Sequence, residues 1–366
     1  MIPEVAGDEG AKPRASGDCA LILSGAVSQG AFEAGALAVL TERLEQRSAR
    51  IRTIVGTSAG ALSGAVLAAH VRRGQADAGA RTLVELWRER GAWRSFLDWP
   101  TRAGGLRGLL PSDKVAALVR EAMGPPGGSH RVELRMIVTA LAGHAARPRR
   151  GGVGADPSAP TTFEQVLRFG AHDLDATEGQ ARVADAAAAS ACFPVLFVPR
   201  ELPGIGLCVD GGIVNNTPVS EALSGTSVET VFVIAAQPAS YHGGVPSGSD
   251  YLVHLIELLI HERLCRDLRE AEAVNHWLRE LERLVPDPHQ RDRVIEALYP
   301  AHGRRALRPL ELVQIRPAAS LGSVFAGFGS RRVRDEYLAE GAREASRALD
   351  LWESRRQATT APDQVA

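Results

Sequence analysis

The first sixty residues use one device twice: a short apolar run, a turn of small residues, then a helical stretch. Residues 19–23 (CALIL) end in Ser24-Gly25 and lead into a helical pattern from about 30 to 46. Residues 51–55 (IRTIV) end in Gly56-Thr57-Ser58-Ala59-Gly60 and lead into the small apolar stretch 59–71. Apolar runs without polar alternation are strands covered on both faces, which is the condition of a parallel sheet between helix layers. The alternation continues, with strand patterns at 132–141, 206–209, 228–235 and 310–315. Helical patterns fall at 77–90, 113–122, 180–190 and 331–352, and a long amphipathic region at 251–284. This order predicts an α/β fold with a central, mostly parallel sheet flanked by helices. It predicts one domain over 18–353, between a flexible N-terminal tail (1–17) and a C-terminal tail (354–366). Residues 143–161, rich in Gly, Pro, Ala and Arg, read as a surface loop.

Composition removes several functions. Lys+Arg is 42 against Asp+Glu 43, so no basic excess exists to neutralise a phosphate backbone, and a nucleic-acid partner is not expected. Cys19, Cys192, Cys208 and Cys265 form no C-x-x-C pair, so zinc-ribbon and thioredoxin-like readings fall away and reduced thiols are expected. Neither the GK[ST] of a P-loop nor a G-x-G-x-x-G fingerprint is present. No cofactor and no metal are expected. No apolar run reaches membrane-span length, and the N-terminus lacks the basic start and apolar core of a secretory signal, so the expected location is the cytoplasm.

Three segments carry chemistry. Gly56 to Gly60 matches G-x-S-x-G in the strand–turn–helix context a nucleophile elbow requires. Gly56 and Gly60 let strand and helix approach closely, and the helix N-terminus faces the Ser58 hydroxyl. The plainer reading is a Gly/Ser turn without catalysis. The second turn, residues 24–30 (SGAVSQG), presents backbone N–H groups to an anion or a developing oxyanion. Asp210-Gly211-Gly212 ends a strand, and an aspartate there can act as the base a serine hydroxyl needs, or simply bond its own turn. A Ser–His–Asp triad is the competing chemistry, with His242, His254 and His302 downstream of Asp210. His254, His261 and His276 fall on the long helical region, where a solvated or capping role is the ordinary one.

Taken together, these segments resemble the patatin-like phospholipase family. Residues 23–37 (LSGAVSQGAFEAGAL) are similar to its glycine-rich oxyanion loop and following helix, and Gly56 to Gly60 (GTSAG) to its nucleophile elbow. Val138-Thr139-Ala140 with Gly143 resembles its central strand and turn. The stretch 189–194 (ASACFP), with Phe197 and Pro199, resembles the segment before its catalytic aspartate. Asp210-Gly211-Gly212, with Asn215, Asn216 and Pro218, resembles its Asp-Gly-Gly box. The resemblance runs in order from about Cys19 to Leu223. It implies a three-layer sandwich and a Ser58–Asp210 dyad acting on fatty-acyl esters without histidine or metal. It assigns oxyanion N–H groups to Gly25, Ala26 and Val27, with Gly56, Gly60, Gly211 and Gly212 as supporting turns. The family's loop usually reads Gly-Gly-Gly-x-Arg-Gly, and this chain departs from it at Ala26, Val27 and Gln29. Val27 is β-branched and resists positive φ. Gln29 removes a positive charge, which implies a weaker preference for anionic phospholipid.

The implied partner is a lipid or a membrane-surface ester. Residues 87–110 hold Trp87, Trp93 and Trp99 among interleaved arginines and suit peripheral membrane contact or a lid, or plain core packing. The 251–284 region is too charged for a lipid-inserting helix and reads as a packed element or a partner surface. Two further alternatives stay open: a non-catalytic lipid-binding or regulatory protein of the same fold, which the altered loop favours, and an α/β-hydrolase with a histidine triad. Oligomeric state is not legible.

Overall fold

A computed structural model of the chain describes residues 17–92, 95, 110–145, 161–194, 196–223, 228–238, 250–298 and 308–360. Among them, eight strands form one sheet: β1 (Asp18–Leu23), β2 (Arg50–Thr57), β3 (Glu133–Ala145), β4 (Thr161–Phe169), β5 (Arg200–Leu202), β6 (Gly206–Asp210), β7 (Thr230–Ile234) and β8 (Glu311–Ile315). The order is β5-β6-β3-β2-β1-β7-β8, with β4 also paired to β3. The five strands β3, β2, β1, β7 and β8 are parallel, and β4, β5 and β6 add antiparallel pairings at one side.

The longer helices are α1 (Gly30–Gln46), α2 (Ala59–Arg72), α3 (Ala76–Glu85), α4 (Asp113–Met123), α5 (Thr177–Ser190), α6 (Asp250–Leu284), α7 (Pro288–Leu298) and α8 (Arg331–Thr360). The unalternated strands explain the layers. Leu21 and Leu23 of β1 and Phe232 and Ile234 of β7 point into one core with α1, α2 and α8. Their neighbours Ala20, Ile22, Val231 and Val233 point into a second core against Leu264, Leu268 and Ala271 of α6. Each central strand is thus buried on both faces, and the expected sandwich of helices around a mostly parallel sheet is what forms.

Several boundaries differ from expectation. The loop expected at 143–161 begins as the end of β3 and finishes at the start of β4, while 146–160 lies outside the described residues. β4 lacks a strand signature because it is half exposed along its length, with Phe163 49% exposed. The last helix runs to Thr360 rather than 352, so its end overlaps the expected C-terminal tail. The expected helix at 77–90 becomes α3 followed by one π turn, Leu86–Arg90. Trp87 on that turn is buried, and its indole N–H donates to Ser63 Oγ at 3.5 Å, so it packs in the core. Trp93 and Trp99 lie outside the described residues. Among the described residues, no helix is long and apolar enough to cross a membrane.

Candidate active site

Strand register brings the two candidate catalytic side chains together. On β3, Ile137 pairs with Thr57, the last residue of β2. The next β3 residue, Val138, pairs with Asp210, the last residue of β6. Where β2 leaves the sheet through Ser58, antiparallel β6 takes its place beside β3. The nucleophile turn and the aspartate therefore meet, although 152 residues separate them. Ser58 Oγ donates to Asp210 Oδ2 at 2.7 Å, with both residues buried.

Ser58 sits at φ 55°, ψ −122°, a conformation a side-chain-bearing residue adopts only when its surroundings enforce it. Its N–H donates to Ser190 Oγ at 2.9 Å, and that hydroxyl donates to the Ile137 carbonyl at 2.6 Å. Its carbonyl accepts from Ala61 and Leu62 as α2 begins. The turn is tight enough that a Cβ on Gly60 would lie 2.2 Å from the Leu23 carbonyl oxygen, and one on Gly56 2.4 Å from the Gly60 oxygen. Close approach, rather than unusual φ, is what those two glycines provide.

Asp210 serves its turn and faces the serine at once. Oδ1 accepts from the Gly212 N–H at 2.7 Å, leaving Oδ2 for Ser58. Its N–H donates to the Cys192 carbonyl at 3.0 Å, and its carbonyl accepts from Thr139 Oγ1 at 2.7 Å. A Cβ on Gly211 would stand 2.1 Å from the Ile137 oxygen, so glycine there lets the backbone press against β3. Burial pushes the Asp210 carboxyl up to about 6, against the downward pull of the Ser58 and Gly212 hydrogen bonds.

The turn after β1 lies against the same serine. The Gly25 carbonyl accepts from Asn216 Nδ2 and from Gln237 Nε2, each at 3.2 Å. The Gly25 N–H donates to the Asn216 carbonyl at 3.2 Å. That bond engages the first N–H of the expected donor set Gly25, Ala26 and Val27. Ser24 Oγ bonds Thr217 Oγ1 at 2.8 Å. Val27 takes φ 50°, the strained conformation its branched side chain resists.

Gly25, Ala26, Val27, Ser58, Asp210 and Asn216 line a cavity of about 620 Å³. Phe193, Pro194, Leu196, Leu321, Val324 and Phe325 supply an apolar side. Glu257, His261, Glu262, Arg263 and Arg266 of α6 supply a polar one. The helix read as a packed element or partner surface thus packs the sheet with one face and walls the cavity with another. His261 sits with Nε2 3.4 Å from Cys265 Sγ, and burial lowers its basicity. No imidazole stands between Ser58 and Asp210, which bond directly.

Sequence reasoning missed Ser190, Thr139, Gln237 and the α6 wall. Ser190 and Thr139 lie inside the 189–194 and 138–140 motifs, and a buried hydroxyl beside a strained turn is the signal that singles them out. Gln237 and the α6 residues carry no local signal, because only tertiary packing brings them to the cavity.

A buried serine hydroxyl bonded to a carboxylate at the strand ends of an α/β sandwich is an arrangement in which the carboxylate can take the hydroxyl proton. The chain matches the family model for patatin-like phospholipase over residues 21–223, just over half its length, and it belongs to that family. The family supports lipid acyl hydrolase activity in general. No curated protein matches it. Among solved structures, VipD from Legionella pneumophila is similar to it at a TM-score of 0.47 and 14% identity, covering 91% of this chain and 66% of that one. The chain thus spans just under two thirds of the length of that structure.

Proposed function

We propose that this chain hydrolyses fatty-acyl esters of lipids, with Ser58 as nucleophile and Asp210 as its base. The observation that carries this reading is the 2.7 Å bond from Ser58 Oγ to Asp210 Oδ2 at the floor of a cavity with an apolar side. Ser58 Oγ attacks the acyl carbonyl carbon, and its proton passes to Asp210 Oδ2. The carbonyl oxygen becomes an oxyanion facing the Ala26 and Val27 N–H groups. A preorganised donor of this kind is worth about 10²–10³ in rate. Collapse of the adduct breaks the ester bond, and Asp210 returns the proton to the departing alkoxide, which leaves as an alcohol or lysolipid. Water then attacks the acyl-serine, giving its proton to Asp210, and Ser58 leaves as a protonated hydroxyl with release of the fatty acid.

The acyl chain has Phe193, Leu196, Val324 and Phe325 to lie against. The ester's polar portion faces the α6 side. The Gln29 amide donates to the Gly322 carbonyl at 3.0 Å, so this position builds the turn.

The test is hydrolysis of a short-chain p-nitrophenyl ester and a fluorogenic phospholipid by wild type, Ser58→Ala and Asp210→Asn. Loss of both activities in both variants supports the dyad. A folded wild type with no hydrolysis shifts the reading to a lipid-binding protein, and a Ser58→Ala variant with full activity removes the nucleophile.

A further inference from the structure

The turn assigned to the oxyanion is held by more than its own local hydrogen bonds. Val27 stands at φ 50°, where its branched Cβ crowds the backbone. Its neighbour Ser28 is fully buried and reaches far along the chain. The Ser28 N–H donates to the Val324 carbonyl at 3.1 Å, and Ser28 Oγ donates to the same oxygen at 2.5 Å. Ser28 Oγ also accepts from the Gly327 N–H at 3.0 Å. A Cβ on Gly327 would fall 2.8 Å from Ser28 Oγ, so that glycine leaves room for the approach. Gln29 adds its bond to Gly322, and its own N–H closes onto the Ala26 carbonyl at 2.8 Å.

The segment that receives these bonds is itself anchored to α8. Arg334, buried, donates from Nη1 to the Gly327 carbonyl at 2.7 Å, and the Tyr337 hydroxyl donates to the Ser323 carbonyl at 3.2 Å. The segment lies beyond residue 223, where the family match ends. Its Gly322, Val324 and Phe325 line the same cavity as Ser58.

We propose that Ser28 is a positioning residue: by bridging to the 322–327 strap it holds Val27 in its left-handed conformation and keeps the Ala26 and Val27 N–H groups directed at the oxyanion. The strap is then part of the catalytic apparatus, and acyl chains packed on Val324 and Phe325 press on the residues that shape the hole. This rests on the acyl-hydrolase reading given above.

The test measures kcat and KM on a p-nitrophenyl ester for wild type, Ser58→Ala, Ser28→Ala, Gln29→Met and the double variant Ser28→Ala/Val27→Gly. Affinity for a trifluoromethyl ketone, which forms the tetrahedral adduct, is compared with that for an unreactive ether of the same chain. Ser28→Ala is expected to lose roughly 10–100-fold in kcat, within the range for losing one oxyanion donor, with KM little changed. Ketone affinity should fall by a similar factor while ether affinity holds. Glycine takes the left-handed conformation without strain, so the double variant should regain most of the loss. Gln29→Met should show the same pattern more weakly, and it carries the test if Ser28→Ala does not fold. Wild-type kcat in Ser28→Ala, or a loss that glycine at 27 does not rescue, overturns the proposal. An inactive wild type or an active Ser58→Ala overturns the underlying reading, and this proposal with it.

Discussion

At the end of β2 the chain turns through Gly56, Ser58 and Gly60 within five residues; glycine relieves the crowding, and one distant bond, Ser58 N–H to Ser190 Oγ, adds support. At the end of β1 it turns through Gly25, Ala26 and Val27, and the solution comes from elsewhere: Asn216, Gln237 and Val324, the last 296 residues from the Ser28 that bonds it. Both turns end neighbouring parallel strands, both open helices, and both hold a side-chain-bearing residue at positive φ. The difference teaches that a strained turn persists either because its sequence makes room or because distant hydrogen bonds over-determine it. Both turns are visible as motifs, but the distant hydrogen bonds that hold the second kind are not.

The largest effect tests what the two turns share. Ser58→Ala or Asp210→Asn should lower kcat/KM by roughly 10³-fold or more, as loss of a member of a cooperating catalytic set does, measured with the p-nitrophenyl ester. Gly60→Ala and Gly25→Ala then separate the turns. A Cβ on Gly60 meets backbone, the Leu23 carbonyl, at 2.2 Å. Urea unfolding should show a loss of about 3 kcal/mol, near the upper end for overpacking. A Cβ on Gly25 meets a side chain, Asn216 Oδ1, at 2.1 Å. That amide can swing aside, so activity should fall more than stability. Equal stability losses would erase the distinction.

The pH dependence follows from Asp210. As a base it works ionised, so kcat/KM should rise about tenfold per pH unit below about 6 and level above it. The stability sign is opposite. The folded carboxyl holds its proton up to about 6, while the unfolded one releases it near 3.8. Between those values the folded state binds more protons, so stability is gained at low pH and lost as pH rises through about 6. The total is roughly 3 kcal/mol. Asp210→Asn should therefore melt higher than wild type at pH 8, with the gap narrowing below about 6 and closing only towards the ordinary value of 3.8. Burial raises Glu33 on α1 well above its ordinary value too, and it adds to the same slope. A pH-independent Tm difference would refute the assignment to Asp210.

The smallest effect probes the distant support of the first turn. Thr217→Val removes the 2.8 Å bond to Ser24 with little change of shape. It should cost about 1 kcal/mol by thermal unfolding. A comparable loss of activity without loss of stability would show that this bond, too, orients the turn.

The strand–turn–helix units were legible because a both-face-buried strand and a small-residue turn leave local signatures, as 19–25 and 51–60 show. The Asp-Gly-Gly box was legible for the same reason. β4 was not, because a half-exposed antiparallel strand has neither alternation nor an apolar run. The polar wall of α6 was not, because its pattern is that of any amphipathic helix and does not say what the polar face meets.

The sequence by itself determined the local conformations: which residues turn, which strands are covered twice, and which serine and aspartate stand at strand ends. These follow from side-chain size, branching and hydrogen bonding within a few residues. Tertiary structure decided that Ser58 and Asp210 touch, because consecutive β3 residues, Ile137 and Val138, pair with the ends of two different strands. It also decided that Val27 keeps its strained turn, because the Val324 carbonyl and Gly327 N–H that grip Ser28 arrive only when the sheet and α8 have packed. Contacts between residues hundreds of positions apart depend on register and layer packing, and no short stretch of sequence carries that information.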